Sequence, residues 1–447
     1  MERAKIHERI SGNRLRTENY EKNFCDAHPP LNLHEAKVEA DRCYFCYDAP
    51  CVTACPTSID IPKFIRQIST GDIDGSAKTI FDQNILGGMC ARVCPTETLC
   101  EEACVRETAE SDPVKIGLLQ RHATDKAIFS KQQFYKREAE TGKKIAVIGA
   151  GPAGLACAHR LSMYGHTVSI YDAREKPGGL NEYGIAAYKT VDNFAQNELD
   201  FIREIGGIEF HQNKKLGKDL SLENLMSEYD CIFLGVGLED TNNLSFLEEK
   251  TPGVEDAVDY IANLRQTADK STLPVGRKVV VIGGGMTAVD ISVQIKLLGA
   301  EEVTIAYRRG KEAMNASSVE KERATSNGIV IREWLQPSSI EKIDSNLSAV
   351  KFEYTAYKDK KLIGTNEFLT LEADQLFLAI GQTLENDPLL KKLKIDNGKI
   401  WVDSEGRTSI PKVWAGGDCT IGGEDLTVTA VANGRDSAES INNFLRN

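Results

Sequence analysis

Two runs of cysteine carry the most specific chemistry in the chain. The first is Cys43-x2-Cys46-x4-Cys51-x3-Cys55-Pro56, and the second is Cys90-x3-Cys94-Pro95-x4-Cys100-x3-Cys104. Close thiolates on a folded-back segment can converge on one metal centre, and soft sulfur ligands suit zinc or iron–sulfur clusters. Structural zinc sites use two tidy C-x2-4-C pairs per ion, and the runs here are denser. A Cys-Pro step closes the first run and recurs inside the second. In bacterial ferredoxin runs the cysteine before such a proline ligates the other cluster. The runs therefore point to two [4Fe–4S] clusters with crossed ligands. Eight cysteines serve two cubanes if all of them ligate; in the alternative, Cys90 is a spare and a non-cysteine ligand completes the second cluster. Cys25 has no local partner and reads as an ordinary thiol.

Two glycine-rich turns follow. Gly149-Ala150-Gly151-Pro152-Ala153-Gly154 succeeds an apolar strand and opens a helix. Glycines let such a turn tighten and let backbone approach a pyrophosphate at the helix N-terminus. Asp172, 18 residues after Gly154, ends the next strand and is placed to hydrogen-bond a ribose hydroxyl. Gly178-Gly179-Leu180 allows close approach to the same ligand. Near the C-terminus, Trp414-Ala415-Gly416-Gly417-Asp418 follows a strand-like KVW. This turn suits the ribityl chain or phosphate of a flavin, which makes FAD the expected first cofactor. The second turn, Gly283-Gly284-Gly285-Met286-Thr287-Ala288, fits G-x-G-x-x-A, but its next strand ends in Tyr307-Arg308-Arg309, not in an acid. Arginines there hold a 2′-phosphate or stack on adenine, so NAD(H) and NADP(H) both stay open. Asp290, inside the following helix, contacts the nucleotide-side loop or caps a neighbouring element.

These sites need elements to position them. KIAVIGAGPAGLACAHRLSMYGHTVSIYDAR and KVVVIGGGMTAVDISVQIKLLGAEEVTIAYRR form an internal repeat of the βαβ type, which implies α/β architecture with parallel sheets. If Asp418 serves the first nucleotide, the first fold resumes after the second ends, and the two Rossmann-like modules are nested. The cysteine-rich zone looks helical, with apolar spacing in IPKFIRQI and KIGLLQRHATDKAI, and residues 131–143 read as a polar linker. The expected domains are a helical iron–sulfur domain over 1–142, an FAD-binding domain over 143–272 and 374–447, and an inserted NAD(P)-binding domain over 273–373. Of the twelve cysteines, nine lie in the first 104 residues of a 447-residue chain; a disulfide scaffold would be small and secreted. A net charge of −12 argues against a general nucleic-acid binder or a polybasic membrane surface. No run of eighteen apolar residues suggests a membrane span. The charged start MERAKIHERISGNR lacks the apolar stretch of a secretory signal. A cytoplasmic location is the expectation.

Taken together, these residues resemble the FAD/NAD(P)-binding electron-input part of dihydropyrimidine dehydrogenase and, more distantly, the glutamate synthase small subunit. The resemblance runs from about Cys43 to the C-terminus. It is specific in DRCYFCYDAPCVTACPTSIDIPKFI, CARVCPTETLCEEAC and IGLLQRHATD. It implies one cluster on Cys43, Cys46, Cys51 and Cys104, and another on Cys55, Cys94, Cys100 and Gln120, with Cys90 a non-ligand. The step Cys94-Pro95-x4-Cys100 is the longer, pyrimidine-type spacing. The chain stops at Asn447, before any FMN barrel, so the resemblance implies a separate FMN-binding catalytic subunit as partner. Residues 310–315 lack a further arginine of the NADP-using members, which pulls toward NAD. The implied activity takes hydride from NAD(P)H onto FAD and passes electrons through the clusters to the partner, which reduces uracil or thymine. No acid–base residue is required for hydride transfer, and none is nominated. Three rivals are the same module serving a glutamate synthase-type or other partner, a non-catalytic redox-sensing protein with structural zinc, and a thiol–disulfide reductase. The last needs a C-x-x-C after the first nucleotide motif, and the chain has none there.

Overall fold

The computed structural model describes residues 9–247, 251–384 and 392–446. In the cysteine-rich region the helices are α1 (Leu33–Asp41), α2 (Pro50–Ala54), α3 (Ile61–Thr70), α4 (Ile73–Phe81), α5 (Gly87–Val93), α6 (Val105–Glu110) and α7 (Ile116–Phe129). Helix α3 shows why they form. Asp60 accepts the Lys63 N–H at 3.1 Å, Pro62 stands in the first turn, and Gly71 closes the helix in the left-handed region at φ 87°. These are an N-cap, a pre-set first turn and a glycine C-cap. Ile61, Phe64, Ile65 and Ile68 form its buried stripe, the i, i+3, i+4, i+7 pattern of an amphipathic helix.

The chain then builds β1 (Lys144–Ile148), α8 (Pro152–Met163), β2 (Thr167–Tyr171), α9 (Phe194–Arg203), β3 (Ile208–His211) and β4 (Cys231–Leu234). Next come β5 (Val254–Asp256), β6 (Lys278–Gly283), α10 (Met286–Leu297), β7 (Glu302–Ala306), α11 (Ser318–Ser326) and β8 (Val330–Arg332). Three long strands, β9 (Leu335–Ile343), β10 (Asn346–Lys358) and β11 (Lys361–Glu372), precede β12 (Gln375–Ala379), β13 (Val413–Ala415) and α12 (Thr427–Arg446). The first sheet has order β13-β4-β1-β2-β3 and is parallel throughout. The second has order β8-β7-β6-β12-β5 and is parallel too. Strands β9, β10 and β11 form a separate antiparallel sheet. Because β13 lies beside β4, the second module is inserted into the first. Continuous apolar runs such as Ile145–Ile148 are buried, as expected of central strands covered on both faces.

The described residues pack into two compact units. One contains residues 28–182, 192–240 and from 383 onward; the other contains residues up to 27, 183–191 and 241–382. In the first unit the linker is docked: Glu138 N–H donates to Met163 O at 2.9 Å, Thr141 N–H to Gly165 O at 3.1 Å, and Tyr135 hydroxyl to Asp82 at 2.8 Å. The iron–sulfur region and the first sheet therefore form one body. In the second unit the segment before residue 28 is held by pairing of Ile10–Ser11 with Val275–Gly276. Residues 241–272 pack there as well, since β5 is an edge strand of the second sheet. No helix among the described residues is long and apolar enough to cross a membrane.

Helix α12 lies against α8 so closely that a Cβ on Gly434 would stand 2.0 Å from Ala153 O. Gly434→Ala should cost about 1–3 kcal/mol through overpacking, read as a lower Tm. An unchanged Tm would mean that the two helices have room to spare at that crossing.

Candidate redox site

Two partly open cavities collect the cysteines, each with about 380 Å³ of space between atoms, part of it continuous with solvent. Cys43, Cys46, Cys51 and Cys104 line the first, with Ile61, Ile65, Val114 and Ile116 as apolar walls. Its position follows from local structure. Arg42 clamps Glu39 and Asp112, each at 2.7 Å. Phe45 adopts a left-handed conformation at φ 52°, and its N–H donates to Cys43 Sγ at 3.4 Å. Cys51 stands in the first turn of α2, and Cys104 caps α6. The second run thus returns its last cysteine to the first cavity.

Cys55, Cys90, Cys94, Cys100 and Gln120 line the second cavity, with Ile61 again in the wall and Val428 of α12 beside it. Cys55 Sγ and Thr57 Oγ1 are 3.3 Å apart. Gln120 Nε2 donates to Gly87 O at 2.7 Å, which holds the amide in place. The residues alone leave open whether Cys90 ligates, and the family resemblance implies that it does not. The structure puts it in the cavity wall, one turn before Cys94, whose N–H donates to Cys90 O at 3.0 Å. Its i, i+4 spacing to Cys94 was the available signal.

Burial drives the thiol chemistry of both cavities. It pushes Cys51 up to about 12, with Cys43 adding to the shift, and raises Cys43 as well. Cys94 is raised well above the usual thiol value by its contact with Cys90 and by burial; Cys100 is raised by burial and by Glu101. Four thiolates in an apolar pocket form only when a metal centre takes the place of the protons. Among the described residues no three His, Cys, Asp or Glu side chains converge closely enough to hold a single ion; the thiols surround space instead. Soft donors around cavities with largely apolar walls fit thiolate-held iron–sulfur clusters.

A buried charge network braces α5. Glu198 of α9 accepts the N–H groups of Gly88 at 2.8 Å and Met89 at 3.1 Å. Arg92 lies 3.3 Å from the centre of the Phe194 ring and pairs with Asp125 at 2.8 Å; Asp125 also meets Arg121 at 3.2 Å. Burial pushes the Glu198 carboxyl up to about 8.

The expected flavin residues gather around the start of α8. A Cβ on Gly149 (φ 100°) would lie 2.1 Å from Gly235 O, and one on Gly154 would lie 1.9 Å from Gly149 O. Only glycine permits this tight turn. Gly151 caps α8, Pro152 opens it, and Ala153 and Gly154 are buried in its first turn. Asp172 accepts Ala150 N–H at 2.7 Å and Arg174 N–H at 2.8 Å, which ties the end of β2 to the turn. Burial raises its pKa. A Cβ on Gly179 would lie 2.6 Å from Gly151 Cα, so the turn carrying Gly179 and Leu180 closes on the first. Gly417 N–H donates to Asn433 Oδ1 at 3.1 Å. Asp418 follows, pushed up to about 6 by burial and by Asp425.

In the inserted unit, a Cβ on Gly283 would lie 2.2 Å from Ala379 O, whereas one on Gly285 would meet nothing within 4 Å. That open face is where backbone can approach a pyrophosphate. Met286, Thr287 and Ala288 begin α10 behind it. Arg308 is exposed at the end of β7, and Arg309 is half-buried, its Nε enclosed without a hydrogen-bond partner. Asp290 serves neither role considered for it from the sequence. It is buried against Lys189 at 2.7 Å and the Tyr188 hydroxyl at 3.2 Å, and Lys189 also pairs with Glu320 at 2.9 Å.

Cysteine cavities, a flavin-type turn and a second nucleotide turn on nested Rossmann-like sheets define an NAD(P)-dependent iron–sulfur flavoprotein oxidoreductase. Residues 143–434 match the pyridine nucleotide-disulphide oxidoreductase family, and residues 20–132 match dihydropyrimidine dehydrogenase domain II, 4Fe-4S cluster. The chain belongs to this oxidoreductase family, with FAD, [4Fe–4S] clusters and NAD(P) as cofactors. It is 34% identical to the NAD-dependent dihydropyrimidine dehydrogenase subunit PreT of Escherichia coli O157:H7, covering 96% of this chain and 98% of that protein. It is also 34% identical to the glutamate synthase [NADPH] small chain of Escherichia coli K12, covering 94% of each. Its fold is similar to Mycobacterium tuberculosis FprA in complex with NADPH, with TM-score 0.56 and 18% identity over 68% of this chain and 85% of that one. Thioredoxin reductase of T. acidophilum gives TM-score 0.54 and 21% identity over 68% of this chain and 100% of that one.

The Glu198 carboxyl yields a pH test. Its folded value of about 8 lies above the ordinary 4.5, so the stability linked to its protonation is fully present below 4.5 and is lost as pH rises through 8. Glu198→Gln keeps an acceptor for Gly88 and Met89 but cannot ionise. Denaturation between pH 5 and 9 (roughly the span set by that shift) should show wild type losing stability relative to the variant. Parallel profiles would contradict a neutral Glu198.

Proposed function

We propose that this chain is the electron-input subunit of a cytoplasmic dihydropyrimidine dehydrogenase. In this reading its FAD takes hydride from NAD(P)H, and its two [4Fe–4S] clusters deliver single electrons to an FMN-binding partner that reduces uracil or thymine to the 5,6-dihydro form. Cys43, Cys46, Cys51 and Cys104 would hold one cluster, and Cys55, Cys94, Cys100 and Gln120 the other.

The observation that carries the reading is the continuity of the walls. Val428, in the first turn of the helix that follows Gly417 and Asp418, lines the second cavity, and Ile61 lines both cavities. The two cysteine sites therefore share Ile61 as a wall residue, and the second site borders the flavin module. Beside the first cavity, Tyr44 is 55% exposed and Tyr47 is 100% exposed. That side offers the way out to a partner. The relatives named as dihydropyrimidine dehydrogenase subunits support the partner class, and the Cys94-x5-Cys100 interval agrees with it. A second reading, the same module serving a glutamate synthase-type partner, is favoured by the equal 34% identity to that small chain.

Anaerobic co-expression with an FMN-binding barrel subunit, assayed with uracil and each nicotinamide nucleotide, separates the two. Turnover by the pair and by neither subunit alone is expected. No turnover, with reduction of artificial acceptors intact, would favour the second reading. The same assay addresses the nucleotide. If Arg308 and Arg309 hold a 2′-phosphate, R308A/R309A should raise KM for NADPH about tenfold, ~1.4 kcal/mol, and leave KM for NADH unchanged. Equal losses with both would point to stacking on adenine.

A further inference from the structure

The second cavity presents five candidate donors, Cys55, Cys90, Cys94, Cys100 and Gln120, for the four corners of a cubane. Two observations distinguish Cys90 from the rest. It lies on α5 one turn before Cys94, with the backbone bond from Cys94 N–H to Cys90 O at 3.0 Å, so both side chains share one helix face. It is also buried, 2% exposed, and lines the same cavity as Cys94. The Gln120 amide is held from the opposite end. Its Nε2 is spent on Gly87 O at 2.7 Å, which leaves Oε1 as the group's acceptor. Gly87 opens the same short helix, so one element orients both the amide and the extra thiol.

We propose that Cys90 is not a ligand but donates an S–H···S hydrogen bond to the Cys94 sulfur on the second cluster, with Gln120 as the fourth ligand, and thereby sets that cluster's potential. The proposal rests on the reading of this cavity as a cluster site. A hydrogen bond to a ligating sulfur stabilises the more negative, reduced cluster and raises its potential. The arrangement parallels the 3.3 Å contact of Thr57 Oγ1 with Cys55 Sγ on the other side of the cavity.

The test uses the full chain with flavin and clusters in place, in wild type, Cys90→Ala, Cys90→Ser and Gln120→Ala. The readouts are iron and sulfide per chain, low-temperature EPR of the reduced protein, and a spectroelectrochemical titration. Cys90→Ala should keep wild-type iron and shift one of the two midpoint potentials to a more negative value. Cys90→Ser, which retains a donor of similar size, should return that potential toward wild type; Gln120→Ala should lose iron from one cluster. Loss of iron in Cys90→Ala together with full iron in Gln120→Ala would overturn the proposal and make Cys90 the ligand. Full iron with both potentials unmoved in Cys90→Ala would overturn it too, leaving Cys90 a packing residue. Wild-type protein that binds no iron–sulfur cluster would instead sink the reading of the cavity itself.

Discussion

A thiolate buried among aliphatic side chains is stable only against a metal, and that constraint organises the N-terminal third of this protein. Eight thiols stand around two small cavities whose remaining walls are largely isoleucine, valine and proline. Burial holds several of them protonated until a cluster takes the protons' place. The runs must cross for this to work: Cys104 closes the first cavity, and Cys55 belongs to the second. Crossing forces the helices between them to fold back, and Ile61 lines both cavities.

The flavin module is built onto this arrangement. Helix α12 carries Val428 to the second cavity and, two turns further on, Arg435, which donates to Thr57 O at 2.8 Å and to Gln83 at 2.8–3.0 Å. Residues seven apart lie on one helix face, so one face of α12 both walls the cavity and grips the loop that carries Cys55. On its other flank α12 packs on α8, the helix that opens at the flavin turn, with glycine at the point of closest approach. Glu198 and Phe194 brace α5 from the side of α9. Positional tolerance at the cysteines is thus set by elements of the flavin module as much as by the cysteine runs.

The nested α/β architecture, both glycine turns and the helix over IPKFIRQI were legible in the sequence because each is a local pattern: a period or a fixed spacing. Asp290 shows where that stops. Its partners Lys189 and Glu320 lie 101 and 30 residues away, on a strap and a helix that only the tertiary fold brings together. The docking of Ile10–Ser11 on Val275–Gly276 is non-local in the same way. Cys90 differs again. Its spacing to Cys94 was visible, but whether it faces the cavity depends on the orientation of α5, which Glu198 and Phe194 set from more than a hundred residues further along the chain.

The central claim is that electrons given by a nicotinamide nucleotide to this chain reach its cysteine cavities without help from another subunit. Anaerobic addition of NADH or NADPH to the isolated, cluster-loaded chain, followed by low-temperature EPR, tests it most directly. The account predicts a reduced [4Fe–4S] signal together with bleaching of the flavin. Flavin bleaching with no cluster signal, in protein whose clusters are reduced by dithionite, would contradict it.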